Sequence, residues 1–229
     1  MPLPMPVPKP GATPPYPRAL SRRQARQMMD TAYLAASMAL LWVALYYLPV
    51  GGALFQLALP LPLALLQLRQ GGRCGAEGLL VAGLLLVALM GPVRGPLVLF
   101  PYGLLALWLG WGWSRRWSWW LTGAVGLLIG AAGFLVRILV LSILVGENLW
   151  VLITAAAANL LEWLSGLVPL VGAPDLPQVQ LLALGLVLLQ NLLYVLALHA
   201  VAYWIFARLK APIPEPPEAL RALVALDPL

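Results

Sequence analysis

The sequence predicts an all-α integral membrane protein: a compact bundle of six transmembrane helices with one further helix at the interface. Three observations predict it. Hydrophobic residues make up 62% of the 229 positions and charged residues only 10%; with a mean hydropathy of +0.90, the chain has too little polar surface to clothe a water-soluble globule. Crossing roughly 30 Å of hydrocarbon takes about 20 mostly apolar residues, and stretches 31–49, 53–69, 77–93, 96–113, 119–145 and 179–207 fit that need. The cations then alternate. Lys9, Arg18, Arg22, Arg23 and Arg26 precede the first stretch, Arg69 and Arg73 follow the second, Arg115 and Arg116 follow the fourth, and Arg208, Lys210 and Arg221 follow the last. Arg94 lies in an opposite-side gap and Arg137 inside a stretch. The positive-inside rule therefore places both termini in the cytoplasm. The net charge of +6 reads as topology and contact with anionic lipid, not as nucleic-acid binding.

Three regions follow: a disordered, Pro-rich basic tail over 1–29, a transmembrane domain over 30–210, and a short cytoplasmic tail over 211–229. The first carries Pro2, Pro4, Pro6, Pro8, Pro10, Pro14, Pro15 and Pro17, which excludes a helix and leaves no secretory signal. The first span itself acts as the insertion signal. It places Ala32 with Ala36 and Ala35 with Ala39 at four-residue spacing, a small-residue stripe that lets another helix approach closely.

The second span contains Pro60 and Pro62, each without an amide donor, so the helix is expected to kink or break there. Gln70 to Gly78, rich in glycine, reads as a turn; its spacing fits no phosphate-binding loop. Gly91 to Pro96 is a second turn, on the outer side, holding Arg94. Trp108, Trp111, Trp113, Trp117, Trp119 and Trp120 surround Arg115 and Arg116 and read as an interfacial aromatic belt rather than a ligand cage. The fifth span spaces Gly126 and Gly130 four apart. Residues 148–168 form either an interfacial helix or a seventh span; a seventh span would place Arg208 and Lys210 outside, which favours the interfacial helix. Residues 217–226 fit one amphipathic turn.

Arg137 is the strongest functional candidate, because a guanidinium in the bilayer interior costs roughly 2.5–3.5 kcal/mol unless it has a partner or water. At about 1.5 Å per residue it lies roughly 12 Å below the outer end of its span, within reach of Glu147 or Glu162 by snorkelling. One reading is a packing ion pair with Glu162. The other is an outward-facing cavity in which Arg137, with Arg94, Glu147, Asn148, Glu162, Asn191 and Tyr194, receives the anionic group of a small molecule. His199 is the only histidine and Cys74 the only cysteine. That excludes an internal disulfide and leaves no metal constellation and no implied cofactor. His199 reads first as a bond to a neighbouring helix. Cys74, Arg137 and His199 resemble the residue set of exosortase-like membrane transpeptidases, but Cys74 is expected in a cytoplasmic turn while Arg137 lies toward the outer leaflet. A nucleophile needs its base within hydrogen-bond reach, so this enzymatic reading is remote.

The segments MDTAYLAASMALLWVALYYLPVG, LPLPLALLQLRQGGRCGAEGLLVAGLLLVALMGPVRG, FPYGLLALWLG and LVRILVLSILVGENLW resemble the uncharacterised YybS-like family of multi-pass membrane proteins, in particular its cyanobacterial branch. The resemblance spans about residues 29 to 210. That family is in turn distantly similar to the S components of energy-coupling factor transporters, compact six-helix proteins that hold a vitamin near the outer leaflet. The resemblance implies a bacterial plasma membrane or a thylakoid. It implies a small-molecule ligand, and a transmembrane coupling subunit docking on Ala32, Ala35, Ala36 and Ala39. No Walker motif is present, so ATPases would be other chains. The alternative is a membrane scaffold or assembly factor with no small ligand.

Overall fold

The computed structural model describes residues 21–167 and 175–224. Helix α1 (Arg22–Tyr47) starts on a capping box: the Gln24 N–H donates to the Ser21 hydroxyl at 3.2 Å and the Ser21 N–H donates to Gln24 Oε1 at 3.0 Å. The expected tail over 1–29 is therefore too long at its end. Arg22 to Met29 are the first two turns of α1, because a cap followed by Arg, Gln, Ala and Met favours helix strongly; residues 1–20 lie outside the described residues.

The second span is broken as its prolines require, into α2 (Gly52–Ala58) and α3 (Leu61–Gln70), with Pro60 at the cap of α3 and Pro62 in its first turn, where a missing amide costs nothing. One residue, Gly71 with φ 89°, turns the chain into α4 (Gly72–Arg94). The glycine-rich segment expected as a turn is thus mostly helix. A Cβ at Gly78 would lie 2.5 Å from Leu66 Cδ2, and one at Gly75 would overlap Gln67 Oε1. These glycines let α4 close on α3, and Cys74, expected in a loop, is buried between them in the main core.

Gly91, with φ 86°, breaks α4 one residue before Pro92. A 3-10 turn (Pro96–Leu99) then folds back on α4 and leads into α5 (Tyr102–Ser114). Helix α6 (Trp119–Val145) is capped by Ser118 and ends on left-handed Gly146. After it come α7 (Trp150–Leu167), α8 (Leu176–Arg208), opened by an Asp175–Gln178 capping box, and the short α9 (Glu218–Val224).

The main core joins α1, α3, α4, α5 and α8 around Trp42, Leu66, Leu105, Trp113, Leu198 and Phe206. Helices α6 and α8 run antiparallel along a seam of small residues. Thr122 meets His199 through a 3.0 Å hydrogen bond. One turn on, Gly126 lies under Val195, and one turn further Gly130 lies under Asn191. The four-residue spacing of Gly126 and Gly130 thus serves close packing within the chain.

Among the described residues six helical stretches are long and apolar enough to cross a membrane, and α7 is a shorter apolar helix. Helix α7 packs on α8 through a separate small core of Ala157, Val179 and Ala183. Leu40, Leu80, Leu84, Leu128, Leu139 and Leu193 are among many exposed large apolar residues. Water does not tolerate an apolar surface of that extent, whereas lipid does. The protein is a helical bundle embedded in a membrane.

Basic residues of α1 and α3 meet Lys210, just beyond α8, at one end of the bundle. Arg69 donates to the Leu209 carbonyl, and the Trp119 indole donates to the Pro214 carbonyl at 2.8 Å. The expected cytoplasmic tail is therefore a docked strap over 211–217, with Ala211 and Ile213 buried in the main core.

Candidate functional site

Arg137 projects from the second half of α6 toward α1 and α5. Its Nη2 donates to the Tyr46 hydroxyl at 3.3 Å and its Nη1 to the Tyr102 hydroxyl at 3.5 Å. The guanidinium carbon lies 5.5 Å from the centre of the Trp42 ring, in cation–π range. Trp42 and Tyr46 are one turn apart on α1, and their rings meet edge-on at 5.1 Å. Tyr102, the first residue of α5, stands edge-on to Trp42 at 5.7 Å and to Tyr194 of α8 at 6.2 Å.

Helix α2 closes the ring. The Gln56 amide donates to the Tyr102 hydroxyl at 2.9 Å, and the Tyr194 hydroxyl donates to the Gln56 carbonyl at 2.9 Å. Five helices thus each contribute to one polar, aromatic cluster in an apolar bundle. Its charge is unbalanced. The ion pairs Arg73–Glu77 and Arg221–Glu215 lie elsewhere, and neither includes Arg137. Both phenol bonds are longer than the usual N–H···O range of 2.7–3.2 Å, and a guanidinium carries five donors. The Trp42 indole N–H is buried without a partner.

Of the residues expected at the site, the structure brings Arg137 and Tyr194 into this cluster. Asn191 is buried one turn before Tyr194 on α8, donating to the Val187 carbonyl at 2.8 Å, with its oxygen against Gly130. Arg94 is exposed at the end of α4, and Glu147 and Asn148 are exposed in the α6–α7 turn, where Asn148 Oδ1 accepts the Trp150 N–H at 3.1 Å. Glu162 is exposed on α7. The expected Arg137–Glu162 pair is not among the ion pairs formed, because α7 packs on α8 and the guanidinium turns toward α1 and α5.

The alanine stripe divides. Ala35 and Ala39 are fully buried in the chain's own core, so they correct the expectation of a four-residue docking face: α1 uses them to meet α4 and α3. Ala36 is half-buried and Ala32 exposed.

Trp42, Tyr46, Gln56 and Tyr102 were not anticipated as site residues. The signal for them is modest: Gln56 is the one strongly polar side chain of α2, and an unpaired amide in a membrane demands a partner.

A second buried polar cluster centres on His199, which is 1% exposed. Its Nε2 faces the Thr122 hydroxyl at 3.0 Å and its Nδ1 the Val195 carbonyl at 2.8 Å. Trp113 and Trp119 pack on its ring at 5.4 and 5.2 Å. Two of the six tryptophans of the expected interfacial belt, Trp113 and Trp119, are therefore core. Trp108, Trp111 and Trp117 form the outer part, with Arg115 over the Trp111 ring at 5.2 Å. The hydrogen bonds of His199 and of Arg137 run to different residues, and neither includes Cys74.

Fold and lipid-facing surface define a helical multi-pass membrane protein. Residues 35–222 match the family described as "Predicted membrane protein (DUF2232)", and the chain belongs to it. No curated protein and no solved structure matches the chain.

Proposed function

We propose that the protein is an S-component-like binding subunit of a membrane transporter, taking the anionic group of a small anionic or zwitterionic solute on Arg137. The observation that carries this reading is a guanidinium inside the bundle whose contacts are neutral phenols at 3.3 and 3.5 Å and an indole face. A carboxylate or phosphate would replace long bonds with short charge-assisted ones. Tyr46, 39% exposed, is the side from which such a group enters. Trp42, Tyr102 and Tyr194 supply aromatic walls, and Gln56 supplies an amide beside them. With both termini cytoplasmic, the site faces the outer leaflet. Coupling and ATP hydrolysis belong to other chains, for which Ala32 and Ala36 are the part of the stripe still accessible.

The scaffold reading has one observation in its favour: Arg137 lines none of three clefts on the described surface. The two readings separate in one experiment, thermal unfolding of the detergent-purified protein against vitamins, nucleobases, amino acids and lipid head groups. A binding subunit shows a rise for one chemical class that Arg137→Gln abolishes. No rise with any solute, together with an Arg137→Gln protein that is merely less stable, leaves the scaffold.

A further inference from the structure

Cations from three separate stretches of the chain converge at the basic end of the bundle. Arg23 and Arg26 stand on the first turns of α1, Arg69 near the end of α3 and Lys210 just beyond α8. With Gln70 and Leu209 they wall a cleft of about 540 Å³. None of the four takes part in an ion pair among the described residues. Asp30, the neighbouring carboxylate, already accepts the Gln70 amide at 2.6 Å. Four cations therefore share one cleft with no carboxylate in its wall.

The way Lys210 is held argues that its ammonium is wanted there. Its φ is 57°, the left-handed region that glycine occupies with least strain where a helix ends. The Ala211 N–H reaches back to the Phe206 carbonyl at 2.9 Å, the closing bond of a motif in which glycine is the usual residue. A lysine in that place accepts backbone strain and sets its charge opposite Arg23 and Arg26. Arg69, bonded to the Leu209 carbonyl, locks the same corner from α3.

We propose that this cleft binds the phosphate group of an anionic ligand. Guanidinium forks match phosphate oxygens in pairs, and an ammonium adds a point charge. The cleft opens where α1, α3 and α8 leave their apolar stretches, and the end of a membrane span meets the head-group layer, which points to the head group of an acidic phospholipid. A soluble phosphate compound offers the same chemistry. The proposal is independent of the reading of Arg137.

The test is thermal unfolding of the full chain in neutral detergent. It is titrated with phosphatidylglycerol, with phosphatidylcholine, and separately with inorganic phosphate and with ATP. Phosphatidylglycerol should raise the midpoint where phosphatidylcholine does not, and the effect should fade as salt screens the charges. Arg23→Gln combined with Arg26→Gln should weaken the apparent affinity about 25-fold, at roughly five-fold per cation. Lys210→Gly separates binding from folding: without ligand it should unfold at the wild-type midpoint or above, yet lose about five-fold in affinity. Protection by phosphate or ATP, reduced in the same variants, supports the phosphate site and assigns it a soluble occupant. Absence of protection by all of them, or protection unchanged in both variants, overturns the proposal.

Discussion

Replacing Gly133 by alanine tests how α6 is held against the start of α5 and, through that contact, how Arg137 is placed. A Cβ at Gly133 would stand 2.7 Å from both Cα and Cβ of Pro101 and 3.3 Å from its nitrogen. These atoms belong to main chain and a closed ring, so no rotamer change relieves the overlap. Ordinary carbon contacts lie at about 3.5–4.0 Å, which requires α6 to withdraw by about 1 Å. Arg137 follows one turn later on the same helix face, and its Nη1 is already 3.5 Å from the Tyr102 hydroxyl. Withdrawal breaks that bond. Overpacking of this kind costs about 1–3 kcal/mol, and alanine's better helix propensity offsets about 1 kcal/mol of it. The net loss is up to about 2 kcal/mol, or up to about 8 °C in the unfolding midpoint. Gly126→Ala is the matched control: it gains the same helix propensity, but its Cβ meets only side-chain carbons, at 3.3 Å and beyond, so Gly133→Ala should be the less stable of the two by the overpacking cost of about 1–3 kcal/mol. The assay is thermal unfolding followed by tryptophan fluorescence in one detergent. Equal midpoints for Gly133→Ala and Gly126→Ala would refute the reasoning.

Two further perturbations probe the basic end. Thr122→Val keeps the shape against Gly112 but removes the hydroxyl 3.0 Å from His199 Nε2, leaving a buried ring nitrogen unpaired at a cost of about 1–3 kcal/mol. Thr122→Ser should recover most of the loss in chemical denaturation, and failure of serine to do so would assign the effect to packing. Trp119→Phe deletes the 2.8 Å bond to the Pro214 carbonyl that holds the strap. Limited trypsinolysis should then cut after Lys210 several-fold faster, and an unchanged rate would show the strap to be held by Ala211 and Ile213 alone.

Most of the fold was legible in the sequence because bilayer thickness sets span length. The stretches at 53–69, 96–113 and 119–145 lie within a few residues of the helices found, and Pro60 and Pro62 mark the break between α2 and α3. Glycine was harder to read. Gly71 turns the chain while Gly75 and Gly78 pack two helices, and residue type alone does not distinguish a turn from a close approach. Alanine carries the same ambiguity: a four-residue stripe announces a helix contact but not whose helix. Ala35 and Ala39 are spent inside the chain. Arg137 stood out because a charge within a span demands an explanation. Its partners did not, because Tyr46, Gln56 and Tyr102 come from three other helices and are joined only by tertiary packing.

The seam between α6 and α8 has a mechanical consequence. Thr122 with His199, Gly126 with Val195 and Gly130 with Asn191 repeat one notch per helical turn, as the teeth of a rack do. Sliding by less than a turn drives side chains into helix backbone, so the two helices travel as one beam carrying Arg137 and Tyr194. Whatever widens the space around that guanidinium must then swing on the other side. The hinge available there is the proline break after α2, a helix of seven residues fastened to the beam at Tyr194 and to α5 at Tyr102 through the two ends of Gln56.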